Sequence, residues 1–195
     1  MDDFRSKILI CESFALSVRF KNCIHCITHG RSMTVLSADK PSDTEPTVLA
    51  LPNTERLVLS ATRAWIDAYC SQQLCGPQLK THLQELGFGN CIGPFYAFHG
   101  LLAAAATREL DFRCPKCPSV GDDEQRLLTM FASYQQGQTR VAEIIVQDWM
   151  PPAACRRATY AARLVANGLA DRGLLLRDLS SRPLVIAQTG PCALH

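Results

Sequence analysis

Proline and glycine divide the chain from residue 53 onward into segments whose apolar residues recur every three or four positions. That spacing places the apolar side chains on one face of an α-helix. Pro77, which follows Gly76, suits the first turn of a helix, and Gly173 suits a helix C-terminus. The pattern predicts six helices, which start near residues 53, 77, 95, 122, 139 and 152. The third is expected to end near residue 109 and the sixth near residue 172.

Six helices with short links and little strand predict an all-α fold, a compact helical bundle. Two short apolar runs, residues 174–176 and 183–187, add a small predicted β-hairpin at the C-terminal end. The chain has 195 residues, of which 47% are hydrophobic, and this is enough for one domain with a core. We assign the helical domain to residues 53–190.

The stretch before the helical domain, residues 1–52, lacks any helical period and ends in a proline-rich polar linker, so we predict that it is disordered. It contains a group of side chains at a spacing that zinc accepts, Cys23, Cys26 and His29. No periodic segment surrounds that group. We interpret residues 1–32 as an over-extended reading frame with Met33 as the native start.

Cys114 and Cys117 stand three positions apart in a proline-stiffened turn between two predicted helices. Two thiols at this spacing can point the same way and hold one metal ion or close one disulfide. A structural zinc ion needs two further ligands, and we predict Cys91 and Cys75, because both are expected in loops whose backbone can adapt. Two other interpretations stay open: a redox-active pair, although the βαβ setting of thioredoxin-like motifs is absent, and an inert pair of thiols.

Positive charge is concentrated at the C-terminal end. Residues 156–195 carry a net charge of +4, whereas the whole chain carries +2. Two helices, a long arginine-bearing helix and a hairpin follow the element order of a winged helix-turn-helix, whose third helix enters the major groove. This alternative assigns phosphate contacts on DNA to Arg156, Arg157, Arg163 and Arg182. The alanines of the same helix favour packing between helices instead.

No catalytic residues are predicted. His99 lies within an aromatic segment, and we interpret it as a core histidine rather than a catalyst. The acidic run Asp122, Asp123 and Glu124 is explained by the N-terminus of a helix, which favours negative charge. The chain contains neither a nucleophile elbow nor a complete phosphate-binding loop.

Four short segments resemble a family of small, uncharacterised, all-helical bacterial proteins with a Cys-Pro-x-Cys turn: residues 55–65, 111–117, 123–128 and 148–154. The resemblance covers about residues 53–175. It implies a compact helical domain and a cytoplasmic location, and it implies no activity.

The sequence therefore predicts a cytoplasmic, non-catalytic regulatory or interaction domain with a protein partner, whose cysteine turn is a candidate site for structural zinc. The first alternative is a DNA-binding transcriptional regulator, and the second is a thiol redox protein. No run approaches the roughly 18 apolar residues that span a bilayer, so no membrane partner is expected.

Overall fold

The computed structural model describes residues 46–74 and 77–177. This part of the chain forms the predicted compact all-α bundle. Its six helices are α1 (Asn53–Cys70), α2 (Pro77–Glu85), α3 (Ile92–Ala105), α4 (Asp122–Gln135), α5 (Thr139–Trp149) and α6 (Pro152–Ala170). Two short 3-10 helices, Val48–Ala50 and Gly89–Cys91, precede α1 and α3.

No strand is present between residues 46 and 177 where the structure describes the chain, apart from an isolated bridge between Thr47 and Ser119. Most of the predicted C-terminal hairpin lies outside the described residues, as does the N-terminal cysteine–histidine group. None of the described helices is both long enough and apolar enough to pass through a lipid bilayer.

Three helices end on a glycine with positive φ, and one of these is Gly173, the predicted end of α6. Gly87, Gly137 and Gly173 have φ values of 86°, 75° and 73°, a region that strains residues with a side chain. After Gly173, the N–H of Leu174 donates to the carbonyl of Leu169 at 2.9 Å. This is the Schellman arrangement, which satisfies carbonyls of the last turn. It ends α6 slightly before the predicted residue 172.

Helix α3 starts and ends earlier than predicted. Pro94 lies within its first turn, where the missing N–H has no intrahelical acceptor, so the helix can begin at Ile92. It ends at Ala105 because Thr107 leaves the helical path to bond with another helix. The Thr107 N–H donates to the Trp149 carbonyl at 2.9 Å.

Helix α6 packs against α3, α4 and α5 and forms one side of the core. Its buried face consists of small and branched residues: Ala158, Ala161, Ala162, Val165, Ala166 and Leu169. The small side chains allow close approach. A Cβ added at Gly168 would lie 2.5 Å from the Cys91 sulfur, so α6 fits tightly against the start of α3.

Residues 46–52, which we had assigned to the N-terminal region, contact the helical domain. The Val48 N–H donates to the Pro118 carbonyl at 2.8 Å, and the Val120 N–H donates to the Pro46 carbonyl at 2.9 Å. The described domain therefore begins before α1, because this segment pairs with the chain that follows the cysteine turn.

Candidate functional site

The predicted cysteine turn is a hydrogen-bonded turn between α3 and α4. The Cys117 N–H donates to the Cys114 carbonyl at 3.0 Å, and Pro115 and Lys116 occupy the exposed corner. Both thiols are free and partly exposed. The Cys117 sulfur lies 3.4 Å from the Ser119 hydroxyl oxygen. The two sulfurs thus belong to one short surface turn.

A buried arginine of α1 donates hydrogen bonds to the backbone of this turn. Arg63 is 3% exposed and forms an ion pair with Glu124, whose side chain is fully buried. Its Nε and Nη2 atoms each donate to a Glu124 carboxylate oxygen at 2.7 Å. The guanidinium also donates to the carbonyls of Cys117 at 2.6 Å and Ser119 at 2.7 Å. A planar guanidinium presents its donors in such a fork, so one side chain fixes two backbone positions.

Glu124 accepts backbone hydrogen bonds from both sides of the same turn. It stands in the first turn of α4 and accepts the Gly121 N–H at 2.8 Å, as the acidic residue of a capping box does. It also accepts the Arg113 N–H at 3.0 Å. The segments before and after the cysteines therefore meet at one buried carboxylate.

This arrangement changes the argument for zinc. Residues 113–118 carry few apolar side chains, so the turn needs something other than burial of its own side chains to hold it. The Arg63–Glu124 pair fills that role with protein groups alone. Zinc binding at Cys114 and Cys117 stays a prediction, and metal content of protein purified without chelators tests it.

The other two predicted zinc ligands differ in their settings. Cys91 ends a 3-10 helix, is buried, and packs on α6 rather than lying in an adaptable loop. Burial raises the pKa of the Cys91 thiol. Cys75 lies outside the described residues. Within the described ranges, no three His, Cys, Asp or Glu side chains are grouped so that they could hold a metal ion.

A second charged cluster joins the start of α4 to the end of α5. Arg108 donates to Asp123 at 2.6 Å and to Asp148 at 2.9 Å, and Arg126 donates to Asp148 at 2.8 Å. The Trp149 indole N–H donates to Asp123 at 2.8 Å. Burial works to raise the pKa of Asp123, but these hydrogen bonds and one from a backbone N–H hold the pKa below its ordinary value.

His99 is the buried core histidine that the sequence predicted. Its Nδ1 lies 2.9 Å from the Phe95 carbonyl, and a carbonyl can only accept, so Nδ1 carries the proton. Burial lowers the His99 pKa to about 4, although the Phe95 hydrogen bond acts in the opposite direction. Among the described residues, His99 Nε2 has no hydrogen-bond partner. The same is true of the Trp65 indole nitrogen and the Thr62 hydroxyl, both on α1. The site is neutral and aromatic.

The arginines of the DNA-binding alternative lie on the outer face of α6. Arg156, Arg157 and Arg163 are exposed there, and Arg182 is outside the described residues. The same face displays two apolar side chains that sequence reasoning missed: Tyr160, 65% exposed, and Leu164, 39% exposed. Their spacing of four positions was the available signal, since it places them together on a helix.

Comparisons of the chain with protein-family models, with curated proteins and with solved structures found no match. The resemblance to a bacterial family with a Cys-Pro-x-Cys turn stays a prediction.

Proposed function

We propose that this chain is a non-catalytic interaction domain that binds a partner protein on the outer face of α6. We call this surface the docking face and define it by Arg156, Arg157, Tyr160, Arg163 and Leu164. The observation that carries the proposal is the exposure of an aromatic and an aliphatic side chain among three arginines on one helix. Tyrosine and arginine are among the residue types that contribute most to binding at protein interfaces.

The rest of α6 makes the docking face rigid. The opposite side of the helix is buried against three other helices through alanine, valine and leucine. A side chain on a fixed helix loses less freedom on binding than one on a loop, so more of the contact energy appears as affinity. The packing of α6 therefore pre-organises the docking face for binding.

Charge indicates the chemistry of the partner. None of the ion pairs between described residues involves the three arginines of the docking face. An acidic surface with apolar side chains would complement them, because opposite potentials steer association and fix its register. The polar clusters around Arg63 and Arg108, in contrast, bond to their own chain and support the fold.

Photo-crosslinking tests this proposal. A photoreactive phenylalanine analogue replaces Tyr160 in cells that express the chain natively, and Gln147 on α5, which is also exposed, is the matched control position. We expect a crosslinked protein adduct from position 160 and none from position 147. The doubly charge-reversed variant Arg156→Glu and Arg157→Glu should remove the adduct. No adduct at position 160, or the same adducts from both positions, would contradict the proposal.

DNA binding is a second candidate function, and the three exposed arginines of α6 favour it. Cationic side chains on one face release counterions from DNA, so affinity should fall steeply as salt rises. Fluorescence anisotropy with a labelled duplex at low and moderate salt measures this. Replacing Arg156, Arg157 and Arg163 with Gln should abolish the binding. A dissociation constant weaker than about 1 μM at low salt would eliminate this candidate, since non-specific binding alone reaches that range.

A further inference from the structure

The cysteine turn has the backbone shape that an intramolecular disulfide needs. The hydrogen bond from the Cys117 N–H to the Cys114 carbonyl closes a four-residue turn, whose end Cα atoms lie within about 7 Å. Disulfides join Cα atoms about 4.4–6.8 Å apart. Pro115 occupies the second position of the turn, where its fixed φ favours this conformation. The Cα separation of this turn is therefore compatible with a disulfide between its first and last residues.

We propose that Cys114 and Cys117 are a reversible thiol–disulfide site that reacts with small-molecule disulfides such as glutathione disulfide. The Arg63 anchor supports this role because it binds backbone carbonyls of Cys117 and Ser119, not the sulfurs. Both cysteines are partly exposed residues. The turn can be oxidised and reduced while its four anchoring bonds to the guanidinium and carboxylate remain in place.

None of the other three described cysteines combines an exposed, readily ionised thiol with a second cysteine in the same turn. Cys91 is buried, and the Cys155 sulfur is directed to the Met150 carbonyl at 3.3 Å. Cys70 is exposed, but burial of its thiol and the nearby charge of Asp67 raise the pKa of the thiol. Burial also raises the pKa of Cys91 and Cys155. Since the thiolate is the reacting form, these three positions serve as internal controls.

The exchange proceeds in two balanced steps. One cysteine of the pair loses its proton to solvent, and its thiolate attacks a sulfur of glutathione disulfide. The glutathione S–S bond breaks, a mixed disulfide forms, and the released glutathione thiolate takes up a proton. The second cysteine, also as a thiolate, then attacks the protein sulfur of the mixed disulfide and displaces the second glutathione. The protein thiols lose two electrons, and glutathione disulfide gains them.

This inference does not depend on the proposed docking face, because none of the residues of the turn belongs to α6. It also makes a different demand on the cysteines from zinc binding, since zinc requires both sulfurs as thiolates and the disulfide leaves neither. The two interpretations can be separated in one experiment.

The experiment equilibrates the full chain in glutathione buffers of increasing oxidising strength with a chelator present. Acid quenching, alkylation under denaturing conditions and peptide mass spectrometry then report each cysteine. We expect the peptide that holds Cys114 and Cys117 to pass in one transition from doubly alkylated to unalkylated and internally bridged. Cys91, Cys155 and Cys70 should remain alkylated over the same range, and the helical circular dichroism signal should not change.

Two sets of variants complete the test. Cys114→Ser and Cys117→Ser should each stop at a glutathione mixed disulfide on the remaining cysteine, whereas Cys155→Ser should leave the transition unchanged. Pro115→Ala, at an exposed position, should reduce the equilibrium constant for ring closure about two- to fivefold, because alanine frees the reduced turn. Two results would overturn the proposal. One is wild-type protein that carries glutathione on both cysteines, or stays doubly alkylated, in excess glutathione disulfide. The other is stoichiometric zinc retained by the pair when the titration is repeated without chelator.

Discussion

Two regions of the core bury polar groups in opposite ways. Beneath the cysteine turn, Arg63 and Glu124 are charged, and each makes several short hydrogen bonds. Around His99, the polar atoms are neutral, and the imidazole Nε2 and Trp65 Nε1 reach no partner among the described residues. The rings surround the imidazole instead: the Phe95 and His99 centroids are 4.1 Å apart, and those of Trp65 and His99 are 5.4 Å apart.

The difference shows what each kind of group requires. A buried charge is tolerated only when its Coulomb partner and its hydrogen bonds are complete, because desolvation of an ion costs several kcal/mol. A neutral polar atom without a partner costs about 1–3 kcal/mol, which aromatic packing can offset. The region of Arg63 and Glu124 should therefore lose stability when one partner is removed. The region of His99 should lose stability when its imidazole becomes charged.

The largest effect is expected from Glu124→Gln, which removes a charge but keeps the shape of the side chain. The Arg63 guanidinium would then be buried without a counterion, and the free energy of unfolding should fall by about 3–5 kcal/mol. Urea denaturation at neutral pH, followed by circular dichroism, measures the loss.

A double variant shows whether the unpaired charge causes that loss. Arg63→Met combined with Glu124→Leu removes both charges and should recover part of the stability. Recovery should stay incomplete, because the Gly121 N–H and the Cys117 carbonyl would lose their partners. A single Glu124→Gln variant that loses less than about 1 kcal/mol would show that water reaches the pair.

Acid should affect the aromatic region first. The His99 pKa is about 4 in the folded chain against an ordinary value of 6.5, so between these values the unfolded chain binds a proton that the folded chain excludes. The contribution of His99 to stability is complete above pH 6.5 and is lost as the pH falls toward 4, by about 3 kcal/mol. Urea denaturation at pH 7.5, 5.5 and 4.5 follows this decline.

The cluster of Arg108, Asp123 and Asp148 responds in a lower window of pH. The pKa of Asp123 is held below its ordinary value of 3.8, so its contribution is lost only as the pH falls below about 4. His99→Gln should flatten the decline between pH 6.5 and 4, and His82→Gln on α2 should leave it unchanged. An equal slope in wild type and His99→Gln would mean that another group takes up the proton.

The sequence predicts the helices well because their signals are local. Gly87, Gly137 and Gly173 end helices through backbone conformations that glycine favours. Such glycine stops can be recognised from the sequence without knowledge of the fold. The spacing of Cys114 and Cys117 is also local, so their turn was predicted at its observed position.

The anchor of that turn was missed because its partners are distant in the chain. Arg63 lies among the apolar residues of α1, where a long basic side chain is ordinarily taken as surface. Glu124 lies in an acidic run that a helix N-terminus explains without any partner. Only the packing of α1 on α4 shows that Glu124 turns inward, toward Arg63. Only the packing of α5 on α4 shows that Asp123 turns toward Trp149, while Asp122 remains exposed. The one local hint was the glutamate placed three residues after Gly121, which is the capping-box spacing.

The smallest effect is expected from Asp148→Asn, because Asp148 forms the same kind of arginine–carboxylate pair as Glu124 but at the surface. Asp148 bonds to Arg108 and Arg126 at distances close to those of the buried pair, but its side chain is 46% exposed. Exposed ion pairs contribute about 0.2–1 kcal/mol and weaken as salt rises. Asp148→Asn should therefore cost less than about 1 kcal/mol, and the cost should shrink in 1 M salt, whereas that of Glu124→Gln should not. Urea denaturation of both variants at low and high salt makes this comparison. A loss above about 2 kcal/mol for Asp148→Asn would show that Asp148 is coupled to the buried Asp123 through Arg108, so that the two clusters differ less than their exposure suggests.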